Sequence, residues 1–242
     1  MEALILAAGH GSRLKRPLNL LPKSLLKIGN KTLIYYIIKK LIYSGISKIN
    51  IVVGYKKDLL IEYLKKNFTN DVKLNFITNN DYKKKGNIFS VYTARKILKK
   101  NILILNSDLL IPNEVLSKLI KSNFKNTFLA NNPKFRTNDD ILLLCNKKKL
   151  VRNVYVKKNV IGRNLFPATG IAKFSSATLK KYLNLIKKQN FRKIKYYEDV
   201  FDDLVKITDF KVIVSKNKVY EIDTKKDYLN VKKIIKKNKS YL

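Results

Sequence analysis

Leu4-Ile5-Leu6-Ala7-Ala8-Gly9-His10-Gly11-Ser12-Arg13-Leu14, with Pro22-Lys23 a short way on, is the stretch on which the reading of this chain turns. An apolar run enters a turn where two glycines flank one residue, and an arginine and then a lysine follow within reach of whatever the turn holds. Glycine lets the backbone come close enough for several N–H groups to point at one anion, and the cations neutralise charge that those dipoles leave over. A loop of that composition is suited to grip a triphosphate. The small side chains of Ala7 and Ala8 leave room for a flat base over the strand end.

Spacing excludes two better-known phosphate loops. A dinucleotide turn needs G-x-G-x-x-G, but Leu14 stands at the third glycine's position, and no ribose-binding acid ends a second strand around Gly54. A Walker loop needs Gly-Lys-Ser/Thr after four intervening residues, which this stretch lacks. The plain alternative is a Gly-rich strand-to-helix turn with no ligand, and Ala7-Ala8, Arg13 and Pro22-Lys23 together argue against it.

Composition narrows the classes. A chain of 242 residues, 45% hydrophobic, can bury one substantial core, and we expect one domain over 1–242 with roughly 130–195 supplying an acceptor pocket or lid. No apolar run approaches the ~20 residues that span a bilayer, and the amino terminus opens on a strand, so the expectation is a cytoplasmic protein without a membrane partner. Cys145 is the single cysteine, which rules out an intramolecular disulfide and argues against a thiolate metal site. The single histidine, His10, lies inside the glycine turn, so a Ser/His/Asp triad could draw only on it. The net charge of +35 comes almost wholly from lysines scattered over every segment, as at Lys39-Lys40, Lys99-Lys100 and Lys232-Lys233. Scattered charge of this kind reads as a solvated surface more than as a nucleic-acid footprint. With only 17 acidic residues, places where carboxylates gather stand out.

Hydrophobic periodicity predicts strands over 3–8, 48–53, 72–77 and 101–105, alternating with helices over 32–43, 57–67 and 87–99. That alternation is the signature of a parallel sheet with helices on both faces, whose ligands lie at the carboxyl ends of the strands. Beyond it the pattern predicts a hairpin from 141–145 and 151–156, a strand over 168–174, helices over 177–188 and 198–205, short strands over 211–214 and 219–222, and a basic helix over 225–237.

Asp108 directly follows an apolar strand at the sheet edge where the glycine turn should lie, so its carboxylate could hold a divalent ion against phosphates or simply cap a turn. Asp223 ends Val219-Tyr220-Glu221-Ile222-Asp223 before a helix; it could be the N-cap, with Thr224 a rival, or a second hard oxygen ligand. Glu221 shares the strand face of Asp223 and is left without a role. Glu198, Asp199, Asp202 and Asp203 form the densest acidic cluster, read as two i, i+4 stripes on one helix that want a cation. Asp139-Asp140 is a lesser cluster. Asn87 and Ser90, after Lys85-Gly86, could cap the third helix or read the edge of a base.

LILAAGHGSRL with PKSLLKIGNKTLI, the GNIFSVYTAR segment, NSDLL and YEIDTKKDY together resemble the nucleotidyltransferases, in the cytidylyltransferase branch that includes phosphocholine and 2-aminoethylphosphonate cytidylyltransferases. The resemblance implies a Rossmann-like, mostly parallel sheet flanked by helices, the GT-A-like nucleotidyltransferase fold. It implies that Gly9, Gly11 and Arg13 hold the triphosphate of CTP and that Lys23 steadies the reacting phosphates, with Arg13 and Lys23 catalytic. Ala7, Ala8, Asn87 and Ser90 would surround the base, and Asp108 and Asp223 would bind Mg2+. The acceptor would be a small phosphorylated or phosphonate compound. Its cationic end would meet Glu198, Asp199 and Tyr197, and the absence of tryptophan turns attention from an aromatic cage to carboxylates. A sugar-1-phosphate acceptor is the alternative, a nucleic-acid-binding protein a further one. A glycosyltransferase is disfavoured because Asn106-Ser107-Asp108 has one acid where an Asp-x-Asp pair would stand. A homodimer stays open.

Overall fold

The computed structural model describes residues 1–156, 160–191 and 193–241. Strand β1 (Glu2–Ala7) is buried along its whole length, as the apolar run that follows Glu2 at the centre of a sheet should be. A two-stranded ribbon, β2 (Lys27–Ile28) and β3 (Lys31–Thr32), then leads to α1 (Leu33–Tyr43), whose Thr32 side chain accepts the N–H of Tyr35 as N-cap. The alternation continues through β4 (Lys48–Val53), α2 (Lys57–Phe68), β5 (Lys73–Thr78), α3 (Asn87–Ala94) and β6 (Ile102–Asn106). A short β7 (Leu109–Leu110) and α4 (Val115–Lys121) follow. The later part adds β8 (Thr127–Ala130), β9 (Leu142–Cys145), β10 (Val151–Tyr155), β11 (Leu165–Phe174), α5 (Ser176–Lys187), α6 (Phe201–Ile207), β12 (Lys211–Val214), β13 (Tyr220–Glu221) and α7 (Lys225–Lys237).

Among the described residues nine strands form one sheet, in the order β10-β9-β11-β6-β1-β4-β5, with β8 joined to β11 and β12 to β8. β1 runs parallel to both β4 and β6, while β11 is antiparallel to β6. Alternate residues of β1 serve opposite faces. Ala3, Ile5 and Ala7 pack with residues of α1, α2 and α4, whereas Leu4, Leu6 and Ala8 pack with residues of α3, α5 and α6. A third cluster seats α7, through Val231 and Ile235, on Leu14, Leu26, Ile28 and Leu33. No helix among the described residues is long and apolar enough to cross a membrane.

Topology decides where a site can form. The chain leaves β1 for β4 and β5 on one side and returns to β6 on the other, so β1 and β6 end side by side, with Leu6 in register with Asn106. The glycine turn and Asn106-Ser107-Asp108 therefore emerge together at a topological switch point.

Several expected elements differ. The helix expected over 87–99 stops at Ala94, because Arg95 and Ile97 donate to carbonyls three residues back and the coil tightens. The helix expected over 198–205 begins only at Phe201; Asp199 Oδ2 accepts the N–H groups of Lys195 and Tyr196 and closes a turn there. The i, i+4 stripes of Glu198 with Asp202 and of Asp199 with Asp203 therefore do not exist. The sequence reading also passed over α4, β8 and the β2–β3 ribbon. α4 is short, and its carboxyl end is satisfied by Lys173 Nζ, which donates to the carbonyls of Leu119 and Ser122 from another element. In the segment expected to wall the pocket, residues 157–159 and 192 lie outside the described residues.

Candidate active site

A cleft of about 700 Å³ opens at the carboxyl ends of β1 and β6. Its floor holds the glycine turn. Gly11 has φ +68°, and a Cβ there would stand 2.6 Å from Lys23 Cγ, so only glycine lets the turn lie against the lysine stem. At Gly9 an added Cβ would meet nothing within 4 Å, which leaves the space above it open to the cleft.

Lys23 is the hub. Its Nζ donates to Asp108 Oδ2 at 3.1 Å and to Asp223 Oδ1, and Arg13 Nη2 lies 2.7 Å from the same Asp223 oxygen. Burial alone would depress the Lys23 pKa, but Asp108 and Asp223 outweigh it and hold the ammonium above its ordinary value. These aspartates meet because β13 pairs antiparallel with β7, Glu221 opposite Leu109, and Ile222 N–H donates to the Asp108 carbonyl at 3.0 Å. Thr224, not Asp223, is the N-cap of α7, in a capping box with Asp227, so the Asp223 carboxylate turns to the cations instead.

Glu221 joins them. One carboxylate oxygen from each of Asp108, Glu221 and Asp223 lies within 4.8 Å of the others. Glu221 reaches the open side of the cleft, yet desolvation by the surrounding protein, then Asp108 and Asp223, push its carboxyl above its ordinary value. Asp108 Oδ1 is buried with no hydrogen-bond partner. Three converging carboxylates, one of them carrying an orphaned buried oxygen, suit a divalent cation such as Mg2+. The sequence did carry a signal for Glu221: two residues before Asp223 on a strand, it had to share that residue's face.

The flank beside α3 is polar and held from outside. Asn79 Nδ2 donates to Ser90 Oγ at 3.1 Å, while Asn87 Oδ1 accepts the N–H of Tyr197 at 2.7 Å. Ala8, Asn87 and Ser90 line the cleft, with Asn79, which the sequence reading missed. Ala7 does not; strand alternation turns it into the opposite core. On the other side Glu198 lines the cleft at 4% exposure, its carboxyl pushed up to about 8 by burial first and by Asp199 and Asp108 after that. Asp199 instead closes its local turn, and Tyr197 is fully buried, its ring edge-on to Phe201 at 5.4 Å. Phe135, Asp139, Asp140, Tyr196, Lys218 and Tyr220 complete that wall.

Parallel sheet, switch-point cleft, glycine turn and carboxylate cluster define a class of protein that handles nucleoside phosphates. Residues 2–134 match the nucleotidyl transferase family model, and the chain belongs to that family. It is 30% identical over 241 residues to the choline-phosphate cytidylyltransferase of Streptococcus pneumoniae, an alignment covering 98% of this chain and 99% of that one. It is 25% identical to the 2-aminoethylphosphonate cytidylyltransferase of Lancefieldella rimae, over 92% of this chain and 88% of the other. The solved structure of CTP:phosphocholine cytidylyltransferase from Streptococcus pneumoniae superposes with a TM-score of 0.79 at 28% identity, covering 97% and 98% of the two chains.

Proposed function

We propose that this nucleotidyltransferase transfers CMP from CTP to a small phosphorylated or phosphonate acceptor with a cationic end, of the phosphocholine or 2-aminoethylphosphonate type, and releases pyrophosphate. The observation that carries the reading is the convergence of the Gly9–Arg13 turn, Lys23 and three carboxylates in one cleft.

In the proposed reaction an acceptor oxygen attacks the α-phosphorus in line and the bond to the leaving pyrophosphate breaks. The acceptor oxyanion is already ionised near neutral pH, so no general base is needed and the residues act by alignment and charge neutralisation. The amides of the glycine turn and Arg13 hold the triphosphate, Lys23 meets the charge that grows on the phosphates, and Ala8, Asn87 and Ser90 frame the base. Asp108, Glu221 and Asp223 would hold Mg2+. Bound there, the ion would supply charge neutralisation at the phosphate oxygens.

Glu198 supports a cationic acceptor. It is buried on the cleft wall, and among the described residues no lysine or arginine forms an ion pair with it. A buried carboxyl of that kind is available to a substrate ammonium.

Pyrophosphate release from each of the four nucleoside triphosphates, crossed with phosphocholine, aminoethylphosphonate and glucose 1-phosphate, tests the proposal. Turnover with CTP and one of the two amines is expected. Turnover only with the sugar phosphate overturns the acceptor assignment, and another preferred triphosphate overturns the base.

A further inference from the structure

The two cations given above to the triphosphate are the counter-ions of the two aspartates given to the metal. Lys23 Nζ bridges Asp108 and Asp223, and Arg13 adds a contact of 2.7 Å to Asp223. The Lys23 side chain is only 12% exposed, and its stem is wedged against Gly11, so this is an enclosed position and not a surface pairing.

That placement makes lysine and metal rivals for the same two carboxylates. A magnesium ion coordinates carboxylate oxygens at ~2.0–2.1 Å, and the Lys23 ammonium already takes Asp108 Oδ2 at 3.1 Å and shares Asp223. Two cations divided between the same pair of carboxylates would stand within a few ångströms of each other and repel in an enclosed site. Lys23 therefore has to leave before the carboxylates can close on an ion. Leaving is costly for a half-buried ammonium unless another anion receives it, and the space above Gly9 and Gly11 is where such an anion would lie.

We propose that Lys23 is the resident counter-ion of Asp108 and Asp223 and hands them to the metal as the triphosphate takes its ammonium. This rests on the metal and triphosphate reading of the cleft and adds its regulation. Metal and nucleotide then bind with positive coupling, and the coupling runs through one side chain. Free of nucleotide, the protein binds the ion weakly, and a lysine-to-neutral change strengthens that binding.

Equilibrium dialysis with Mn2+ tests this in the full-length wild type and in Lys23→Met and Lys23→Gln, with and without CTP, after circular dichroism has established that each variant is folded. Without nucleotide the variants are expected to bind Mn2+ about 10-fold more tightly than wild type, within the ~5–150-fold span usual for coupled sites. A readout on the wild type alone is reductive methylation followed by mass spectrometry: Lys23 is protected in the free protein and becomes reactive as Mn2+ saturates it. Equal or weaker Mn2+ binding by the variants, or Lys23 reactivity indifferent to Mn2+, overturns the exchange while leaving the active-site reading in place. No Mn2+ binding by any of the three proteins, even with CTP, overturns both.

Discussion

Gly11 and Lys23 form one packed unit: a Cβ on the glycine would stand 2.6 Å from Cγ and 3.1 Å from Cε of the lysine. The glycine thus does more than free its own amide, because it sets the line along which the lysine reaches Asp108 and Asp223. Gly11→Ala meets both a positive φ and a collision, which together are expected to cost about 1–3 kcal/mol in urea unfolding and to lower turnover by displacing the ammonium. Gly9→Ala makes neither conflict, and its stability should stay within ~0.5 kcal/mol of wild type. Its KM for the nucleotide should nonetheless rise, since the new methyl group projects into the open space of the cleft. An unchanged KM in Gly9→Ala would mean that the triphosphate does not lie against the turn.

Asp108 and Asp223 are expected to be worth ~10²–10³ in kcat/KM each when changed to asparagine, the usual loss on removing one charge partner from a preorganised site. Asp139→Asn, on the outer wall of the same cleft, is expected to change it less than tenfold. Steady-state pyrophosphate release measures all three. Comparable losses at all three positions would mean that total negative charge matters and the three-oxygen cluster does not.

The parts of this arrangement legible in the sequence were those governed by local chemistry. The glycine turn, the strand before Asp108 and the helix over 225–237 each follow from spacing and composition within a short window. What stayed hidden was set by contacts distant in sequence. β13 falls within the strand expected over 219–222, but β7 is two residues long, too short to show any period, and it is the pairing of the two that brings Asp108 to Asp223. Glu198 looked like the start of a helical stripe because i, i+4 acids suit a helix. The structure instead tucks a turn under Gly86, where an added Cβ would fall 1.8 Å from the Lys195 carbonyl oxygen. That close approach decides that Glu198 faces the cleft while Tyr197 enters the core, and no pattern within the acidic cluster itself encodes it.

Cys145 tempts a reading as a nucleophile because it is the only thiol. It is 4% exposed, and burial pushes its pKa up to about 11, so at neutral pH it stays a protonated thiol without access to the cleft. Cys145→Ala is expected to retain catalytic activity within about twofold, losing instead ~1 kcal/mol of stability through the small cavity it leaves. The native protein is expected to resist a disulfide-exchange reagent that labels it readily in urea. Fast labelling of folded protein would contradict the burial.

Glu198 links stability to substrate recognition. Its carboxyl is raised from 4.5 to about 8 by burial first, then by Asp199 and Asp108. Between those values the folded state keeps a proton that the unfolded chain has released, so the folded state binds more protons and stability falls as pH rises. Glu198 alone contributes a slope of at most ~1.4 kcal/mol per pH unit, which levels off above its folded pKa, and Glu221 adds to it in the same direction. Glu198→Gln keeps the neutral form at every pH, so urea midpoints at pH 5, 6, 7 and 8 should decline less in the variant than in wild type. An acceptor ammonium beside Glu198 favours the carboxylate and lowers its pKa, so at neutral pH binding expels a proton. Calorimetric titration of the acceptor in two buffers of different ionisation enthalpy should detect that release in wild type and lose it in Glu198→Gln. A pH-flattened variant that still releases the same proton on binding would place the acceptor's cationic end somewhere other than at Glu198.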